Sequence, residues 1–311
     1  MEKPKAIICT EKLTRTFKKT VALRDLDLCI AHGEIFGLVG PDGAGKTTAL
    51  RLMAAVMRPT TGHVRVAGFD TAKASESIRP YVGYMPQRFS LYADLNVLEN
   101  LNFFADVFGV RGADRRRRIE QLLAFANLTR FVDRRAGQLS GGMQKKLGLA
   151  CTLIHAPEVL LLDEPTTGVD PVSRREFWDI LADLHIAGTT IVVSTPYMDE
   201  AERCNRIGLL FKGQLMECGT PASIKAMVRG QVIELRPDPM PRAQEVLAGQ
   251  PDVLEVQVYG DLLHVFVLDA QQRAPALRSA LESEGVTLNG LRVIQPRMEE
   301  AFISLMGKRN A

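Results

Sequence analysis

Cysteine and long apolar runs are scarce in this sequence. The five cysteines are widely spaced and never form a C-x-x-C pair, which argues against a disulfide framework and against a zinc ribbon. The longest stretch free of Asp, Glu, Lys and Arg covers residues 184–198, which is too short and too polar to span a bilayer of about 30 Å. Lys12, Arg15, Lys18 and Lys19 interrupt the first 31 residues, so no secretory signal is expected. These absences favour the reducing cytosol.

Neither sign of charge dominates. The 39 Lys and Arg exceed the 36 Asp and Glu by only +3, and this small excess predicts no nucleic-acid partner. Hydrophobic residues make up 46% and charged residues 24%, which is typical of folded globular proteins. A length of 311 residues suggests two domains, at about 150 residues each.

A glycine-rich turn lies between a predicted buried strand, residues 34–39, and a predicted helix, residues 46–57. The turn matches G-x-x-x-x-G-K-S/T, whose backbone N–H groups surround phosphate oxygens at the start of a helix. Lys46 is expected to reach the β- and γ-phosphates, and the Thr47 hydroxyl to bind Mg²⁺. The ATP-binding residues predicted here are Gly40, Asp42, Gly43, Ala44, Gly45, Lys46, Thr47 and Thr48.

A second apolar strand, residues 159–162, ends in two acids. Asp163 is predicted to hold Mg²⁺, usually through water, and Glu164 to activate the attacking water. Many strands end in a solvated carboxylate, so this pattern is weak evidence by itself. Beside a phosphate loop it indicates nucleotide hydrolysis.

Strands alternate with helices up to about residue 228, which predicts an α/β fold with a parallel-sheet core. A capping box at Asn96 and Glu99 predicts a helix that follows Gln87. From residue 229 the order of elements becomes α+β, with strands near residues 232–236, 254–258, 263–268 and 291–295. We therefore predict one domain over residues 1–228 and a small second domain over residues 229–311.

Residues 139–144, with adjacent glycines and a serine before a helix, provide a second anion-binding pattern. With this motif between the phosphate loop and the Asp163–Glu164 strand, residues 5–225 resemble the ATP-binding subunit of an ABC transporter. The amino-acid sequence of residues 37–48 and 83–89 is similar to that of the first cassette of YbhF-like multidrug exporters. The resemblance implies a P-loop NTPase of ABC type, with an antiparallel β subdomain and a helical subdomain at about residues 88–157.

The resemblance also implies roles for individual residues. In this family, two cassettes enclose two nucleotides, and the signature of one closes over the ATP held by the other; here it comprises Ser140, Gly141, Gly142 and Gln144. Phe17 matches an aromatic residue that stacks on adenine, although a strand-core role is the alternative. Gln87 matches a glutamine that senses the γ-phosphate or Mg²⁺, and a polar turn is the alternative. Asp170 matches a residue that contacts the partner cassette, with a helix N-cap as the alternative.

One position departs from the family pattern. The family places a histidine that contacts the γ-phosphate after residues 191–195, and this chain has Pro196 there. Proline has neither a side-chain donor nor a backbone N–H, so it cannot make that hydrogen bond. The expectation is that this chain's own ATP site is weakened, unless other elements compensate. An intact signature beside a weakened site favours a heterodimer with a more active cassette over a homodimer.

The resulting hypothesis is an ATP-hydrolysing subunit at the cytosolic face of a bacterial membrane, which uses Mg²⁺ and separate permease subunits to drive export. A nucleotide-binding partner with little turnover is the alternative. A soluble ABC protein of translation or DNA repair is disfavoured, since it would need fused cassettes or a coiled-coil insertion. The basic run at residues 115–118 suggests a solvated helix face, with lipid head groups as the alternative.

Overall fold

The computed structural model describes residues 6–88 and 91–310, with side chains described as far as residue 305. The chain forms two compact units, Met1–Gly219 and Thr220–Ala311. The boundary predicted between residues 228 and 229 therefore lies inside the second unit. Within the described ranges, no helix has the length and apolarity that crossing a membrane would require.

The first unit contains ten strands, seven α-helices and two short 3-10 helices, Thr129–Phe131 and Ala136–Gln138, within its described residues. The strands are β1 (Ala6–Phe17), β2 (Thr20–Ala31), β3 (Ile35–Val39), β4 (Thr61–Val66), β5 (Phe69–Asp70), β6 (Val82–Met85), β7 (Val159–Asp163), β8 (Thr190–Thr195), β9 (Arg206–Phe211) and β10 (Gln214–Gly219). The helices are α1 (Lys46–Met53), α2 (Ser75–Ile78), α3 (Val97–Val107), α4 (Gly112–Phe125), α5 (Gly141–Thr152), α6 (Pro171–Ile186) and α7 (Met198–Ala201).

The central sheet has the strand order β10-β9-β3-β8-β7-β6. Strands β9, β3, β8, β7 and β6 run parallel, which confirms the predicted parallel core. Every residue of β3, β7 and β8 is buried, as expected for strands covered on both faces. Strand β10 pairs antiparallel with β9 and makes the sheet mixed.

A second, antiparallel sheet has the order β2-β1-β4-β5. Strand β1 includes two apolar runs, residues 6–10 and 13–17, that polar residues separate in the sequence. The strand continues through these polar residues because its register with β2 shifts between Thr10 and Leu13. The structure also corrects an expectation about cysteine. Cys9 and Cys29 lie opposite each other on β1 and β2 and form a disulfide, a pairing that chain spacing does not reveal.

Helices α3, α4 and α5 share their own apolar core, which includes Leu101, Leu123 and Leu147. The predicted capping box is confirmed, since the Glu99 amide donates to Asn96 at 2.8 Å and the Asn96 amide donates to Glu99 at 2.8 Å. Three arginines of the 115–118 run are held by contacts within this region, with Asp106, Asp114 and the carbonyl of Ile154 among their partners.

The second unit has an antiparallel sheet of order β12-β13-β11-β14. Its strands are β11 (Gln231–Asp238), β12 (Val253–Tyr259), β13 (Leu262–Val267) and β14 (Thr287–Ile294). Its helices are α8 (Pro221–Lys225), α9 (Met240–Ala248), α10 (Ala270–Ser283) and α11 (Met298–Asn310). Apolar residues of β11, β13, α9 and α10 form its core. These four strands lie near the four positions predicted from the sequence.

Candidate functional site

The glycine-rich turn connects the buried strand β3 to helix α1, as the motif requires. Gly45 has a φ of 104°, and a Cβ there would lie 2.6 Å from the carbonyl oxygen of Ala22. Only glycine fits this left-handed position so close to the backbone. A cleft of about 210 Å³ opens over the turn and is lined by Gly43 to Thr48, Ala22 and Glu164. The helix N-terminus therefore faces a space suited to phosphate.

Lys46 is buried and its ammonium group is held in place. The Lys46 Nζ donates to the carbonyl oxygens of Gly40 at 2.8 Å and Pro41 at 3.1 Å. It also lies 3.3 Å from the Glu164 Oε1. Because the ammonium group is shared by the turn and the acidic strand end, it places positive charge where phosphate oxygens would bind.

Three oxygens converge at the carboxyl ends of β7 and β8. The Thr47 hydroxyl donates to the Asp163 Oδ1 at 2.9 Å, and the Ser194 hydroxyl donates to the same oxygen at 2.7 Å. The second carboxylate oxygen, Oδ2, is buried without a hydrogen-bond partner. A buried, unpaired carboxylate oxygen next to a hydroxyl fits Mg²⁺, which binds one or two protein oxygens together with waters and phosphates.

Glu164 is fixed from both its backbone and its side chain. Its φ is 46°, an uncommon value for a residue other than glycine. Its amide donates to the Ser194 hydroxyl at 3.0 Å and carbonyl at 3.1 Å. The side-chain amide of Gln87 donates from its Nε2 to the Glu164 Oε2 at 2.8 Å. Gln87 thus contacts the predicted base.

The signature segment begins helix α5. The Ser140 hydroxyl accepts from the Met143 amide at 3.3 Å as the N-cap, and Gly142 allows a close approach to Ser173, whose Cβ would lie 2.6 Å from a Cβ at position 142. The side-chain amide of Gln144 donates to the backbone carbonyls of Ala136 at 3.1 Å and Leu139 at 3.3 Å. Gln144 therefore braces the preceding turn.

The other predicted residues lie around this centre. The Phe17 side chain is 40% exposed, which is inconsistent with a strand-core role, and the Arg15 guanidinium lies over its ring at 4.6 Å. Asp170 is the N-cap of α6 and accepts from Val172 and Ser173, hydrogen bonds that lower the pKa of its carboxyl. Pro196 directly follows β8 and is partly buried.

Comparison with known proteins identifies the family. The family model for ABC transporters matches residues 23–167. The Nod factor export ATP-binding protein I of Paraburkholderia xenovorans is 36% identical over 98% of both chains. The daunorubicin resistance ATP-binding protein DrrA2 of Streptomyces coeruleorubidus is 34% identical over 96% of this chain and 94% of its own. This chain belongs to the ABC transporter ATP-binding proteins.

Two further relatives extend the comparison. The probable multidrug ABC transporter ATP-binding protein YbhF of Escherichia coli is 41% identical over 92% of this chain, which spans about half, 49%, of the length of YbhF. A dimeric post-hydrolysis state of the cassette MJ0796, bound to ADP and Pi, has a TM-score of 0.64 at 30% identity and covers 68% of this chain and 98% of its own. The predicted ABC-type fold is therefore confirmed.

The sequence analysis missed Ser194. Its hydroxyl bonds both Asp163 and the amide of Glu164, so it lies between the two acids. Lys145 was also missed: its Nζ donates to the Gln87 carbonyl at 3.1 Å, and burial lowers its pKa. Ser194 could be found only from its position on an apolar strand, where a lone hydroxyl needs a partner.

Proposed function

We propose that this chain binds and hydrolyses Mg-ATP at a dimer interface between two cassettes and so drives export through separate permease subunits. The observation that carries the proposal is the placement of Glu164, which is held by Gln87 at 2.8 Å and lies 3.3 Å from Lys46. A fixed carboxylate beside the phosphate-binding cleft suits activation of a water molecule. Thr47 and Asp163 would hold Mg²⁺, which neutralises developing phosphate charge when bound.

A dimer interface is supported by the separation of the two anion sites. Gly141 and Gln144 line a cleft with Gln87, Lys145 and Gly168, while the phosphate loop lines a different one. A signature outside its own chain's nucleotide cleft is free to act on another chain. The similar cassette MJ0796 is dimeric in its structure with ADP and Pi.

Permease partners and export are inferred from relatives and surface. The names of the Nod factor and daunorubicin relatives refer to export and drug resistance. Apolar side chains are exposed around α3, including Tyr92, Phe103, Val107 and Phe108. Grouped apolar exposure of this kind marks contact with a partner. We propose that these side chains contact a permease subunit, and that the chain lies at the cytosolic face of the membrane, as the resemblance to ABC transporter ATP-binding proteins implies.

The experiment that tests the proposal is Mg-ATP turnover by the purified chain and its Glu164→Gln variant. Since Gln cannot accept a proton from water, kcat should fall by about 100-fold or more while ATP still binds. Glu158→Gln is the matched control, because Glu158 is exposed and directly precedes the first residue of β7, whereas Glu164 directly follows the last. Wild-type turnover that survives Glu164→Gln would refute the assigned base.

A second candidate function is favoured by Pro196. A chain that binds ATP but turns it over slowly would complete the site of a different, more active cassette. In that case Pro196→His should raise kcat, because an imidazole supplies the missing donor, while Pro196→Ala should not. Equal activity of all three proteins would mean that Pro196 does not limit hydrolysis and would remove the reason to favour a heterodimer.

A further inference from the structure

Glu200 is a buried carboxylate that the proposed hydrolysis step does not use. It lies on the short helix α7 and its exposed fraction is 0%. It does not line the cleft over the phosphate loop. Burying a carboxylate is unfavourable unless hydrogen bonds and opposite charge compensate for the lost water. The partners of Glu200 therefore indicate what the group does.

The two carboxylate oxygens of Glu200 hold two different loops. The Thr166 hydroxyl donates to the Oε1 at 2.6 Å, and the Thr195 hydroxyl donates to the Oε2 at 2.7 Å. Thr166 is two residues after Glu164, and Thr195 is the residue directly before Pro196. Both threonines are buried, so water does not replace either hydrogen bond. One carboxylate thus sets the spacing between these loops.

Thr195 extends this link to both sides. Its hydroxyl accepts from the Tyr197 amide at 3.0 Å, so the hydrogen bonds bracket Pro196. Its carbonyl accepts from the Gly40 amide at 3.4 Å, at the first residue of the phosphate loop. The Gly40 contact is the longer of the two, so a shift of Thr195 would act chiefly on the segment around Pro196.

Arg174 supplies the opposite charge. Its Nε lies 3.8 Å from the Glu200 Oε1, its Nη1 donates to Asp199 at 3.1 Å, and its guanidinium lies over the Tyr197 ring at 4.6 Å. Arg174 is in the first turn of α6, whose N-cap is Asp170. The network therefore joins the helix that follows the predicted dimer contact to the loops of Glu164 and Pro196.

We propose that Glu200 is a positioning residue for ATP hydrolysis, whose carboxylate holds the Glu164 loop and the Pro196 segment in register. The proposal rests on the function proposed above. Pro196 cannot donate a hydrogen bond to the nucleotide. Its segment is instead positioned by the hydrogen bonds that the Thr195 hydroxyl makes with Glu200 and with the Tyr197 amide. Glu164 has a left-handed backbone, which persists only where neighbouring contacts fix it.

The test compares Mg-ATP turnover and ATP binding in Glu200→Gln, Thr195→Val and Thr195→Ser, with Glu158→Gln as the exposed control. Because Glu200 lies outside the phosphate-loop cleft, kcat should fall about 10- to 100-fold through misplacement of the reacting groups, while the ATP Kd changes by less than about threefold. Thr195→Val removes the hydroxyl at similar shape and should match Glu200→Gln. Thr195→Ser keeps the hydroxyl and should retain most of the wild-type kcat.

Amide hydrogen exchange without nucleotide gives a readout that does not depend on turnover. Glu200→Gln should speed exchange in peptides covering residues 164–169 and 194–199 and leave β9 unchanged. A Glu200→Gln protein with wild-type kcat and wild-type exchange would overturn the positioning role, as would a parallel loss of ATP binding. If Glu200→Gln does not fold, the Thr195→Val and Thr195→Ser pair decides by the same criteria.

The two proposals fail in different ways. Turnover that survives Glu164→Gln, or a wild-type chain without turnover, refutes the hydrolysis proposed above. If Glu164→Gln abolishes turnover while Glu200→Gln and Thr195→Val keep the wild-type kcat, only the role of Glu200 is refuted.

Discussion

The Ser194→Ala substitution probes the contact between the two acids of the site. The buried Ser194 hydroxyl donates to the Asp163 Oδ1 at 2.7 Å and accepts from the Glu164 amide at 3.0 Å. Alanine removes this one oxygen and introduces no new contact. Thr47 still donates to Asp163, and the Ser194 carbonyl still accepts from Glu164 at 3.1 Å.

The expected loss follows from these partners. A hydrogen bond to a charged acceptor contributes about 1.5–3 kcal/mol, and the one to the Glu164 amide contributes less because a second acceptor remains. We therefore expect the free energy of unfolding of the first unit to fall by about 2–3 kcal/mol. The kcat should also fall, by about tenfold, because Glu164 loses one of its backbone anchors.

Urea unfolding followed by Trp178 fluorescence measures this loss. Trp178 is the chain's only tryptophan, it is 3% exposed, and it lies in the first unit, so its signal reports that unit. Ser77→Ala is the control, because Ser77 is exposed on α2. A free energy of unfolding for Ser194→Ala within about 0.5 kcal/mol of wild type, the range of a surface substitution, would refute the reasoning.

Two further outcomes are expected. Phe17→Ala should weaken ATP binding by about 5- to 100-fold if the exposed ring stacks on adenine, whereas Val21→Ala, an exposed neighbour on β2, should not; equal Kd values would contradict the stacking role. Burial lowers the pKa of His155 from 6.5, so the unfolded chain binds more protons and stability is lost as pH falls below about 6.5. Urea unfolding at about pH 7.5 and 5.5 should show a larger loss for wild type than for His155→Gln, and equal losses would contradict this assignment.

The parts of the site that depend on contiguous residues could be predicted. The phosphate loop lies in one short segment, and its glycine spacing fixes the path of the backbone around Lys46. The apolar run before Asp163 likewise places that acid at the end of a buried strand. These local rules apply whatever surrounds the segment, so the motif carries the chemistry by itself.

Strand register could not be predicted from spacing along the chain. Asp163 and Ser194 are directly paired between β7 and β8, and Cys9 and Cys29 between β1 and β2. Each pair is separated by many residues whose connection does not specify which side chains meet. The disulfide and the role of Ser194 therefore required the structure.

The sequence by itself determined an ATP-binding cassette with a phosphate loop, two acids, a signature and Pro196 in place of a histidine, because each of these is set by residues adjacent in the chain. Only the tertiary structure decided that Gln87 bonds Glu164, that Gln144 braces its own turn, and that Glu200 holds Thr166 and Thr195 together. The physical reason is that a buried polar group must find a partner in space, and the fold determines which group lies within about 3 Å of it.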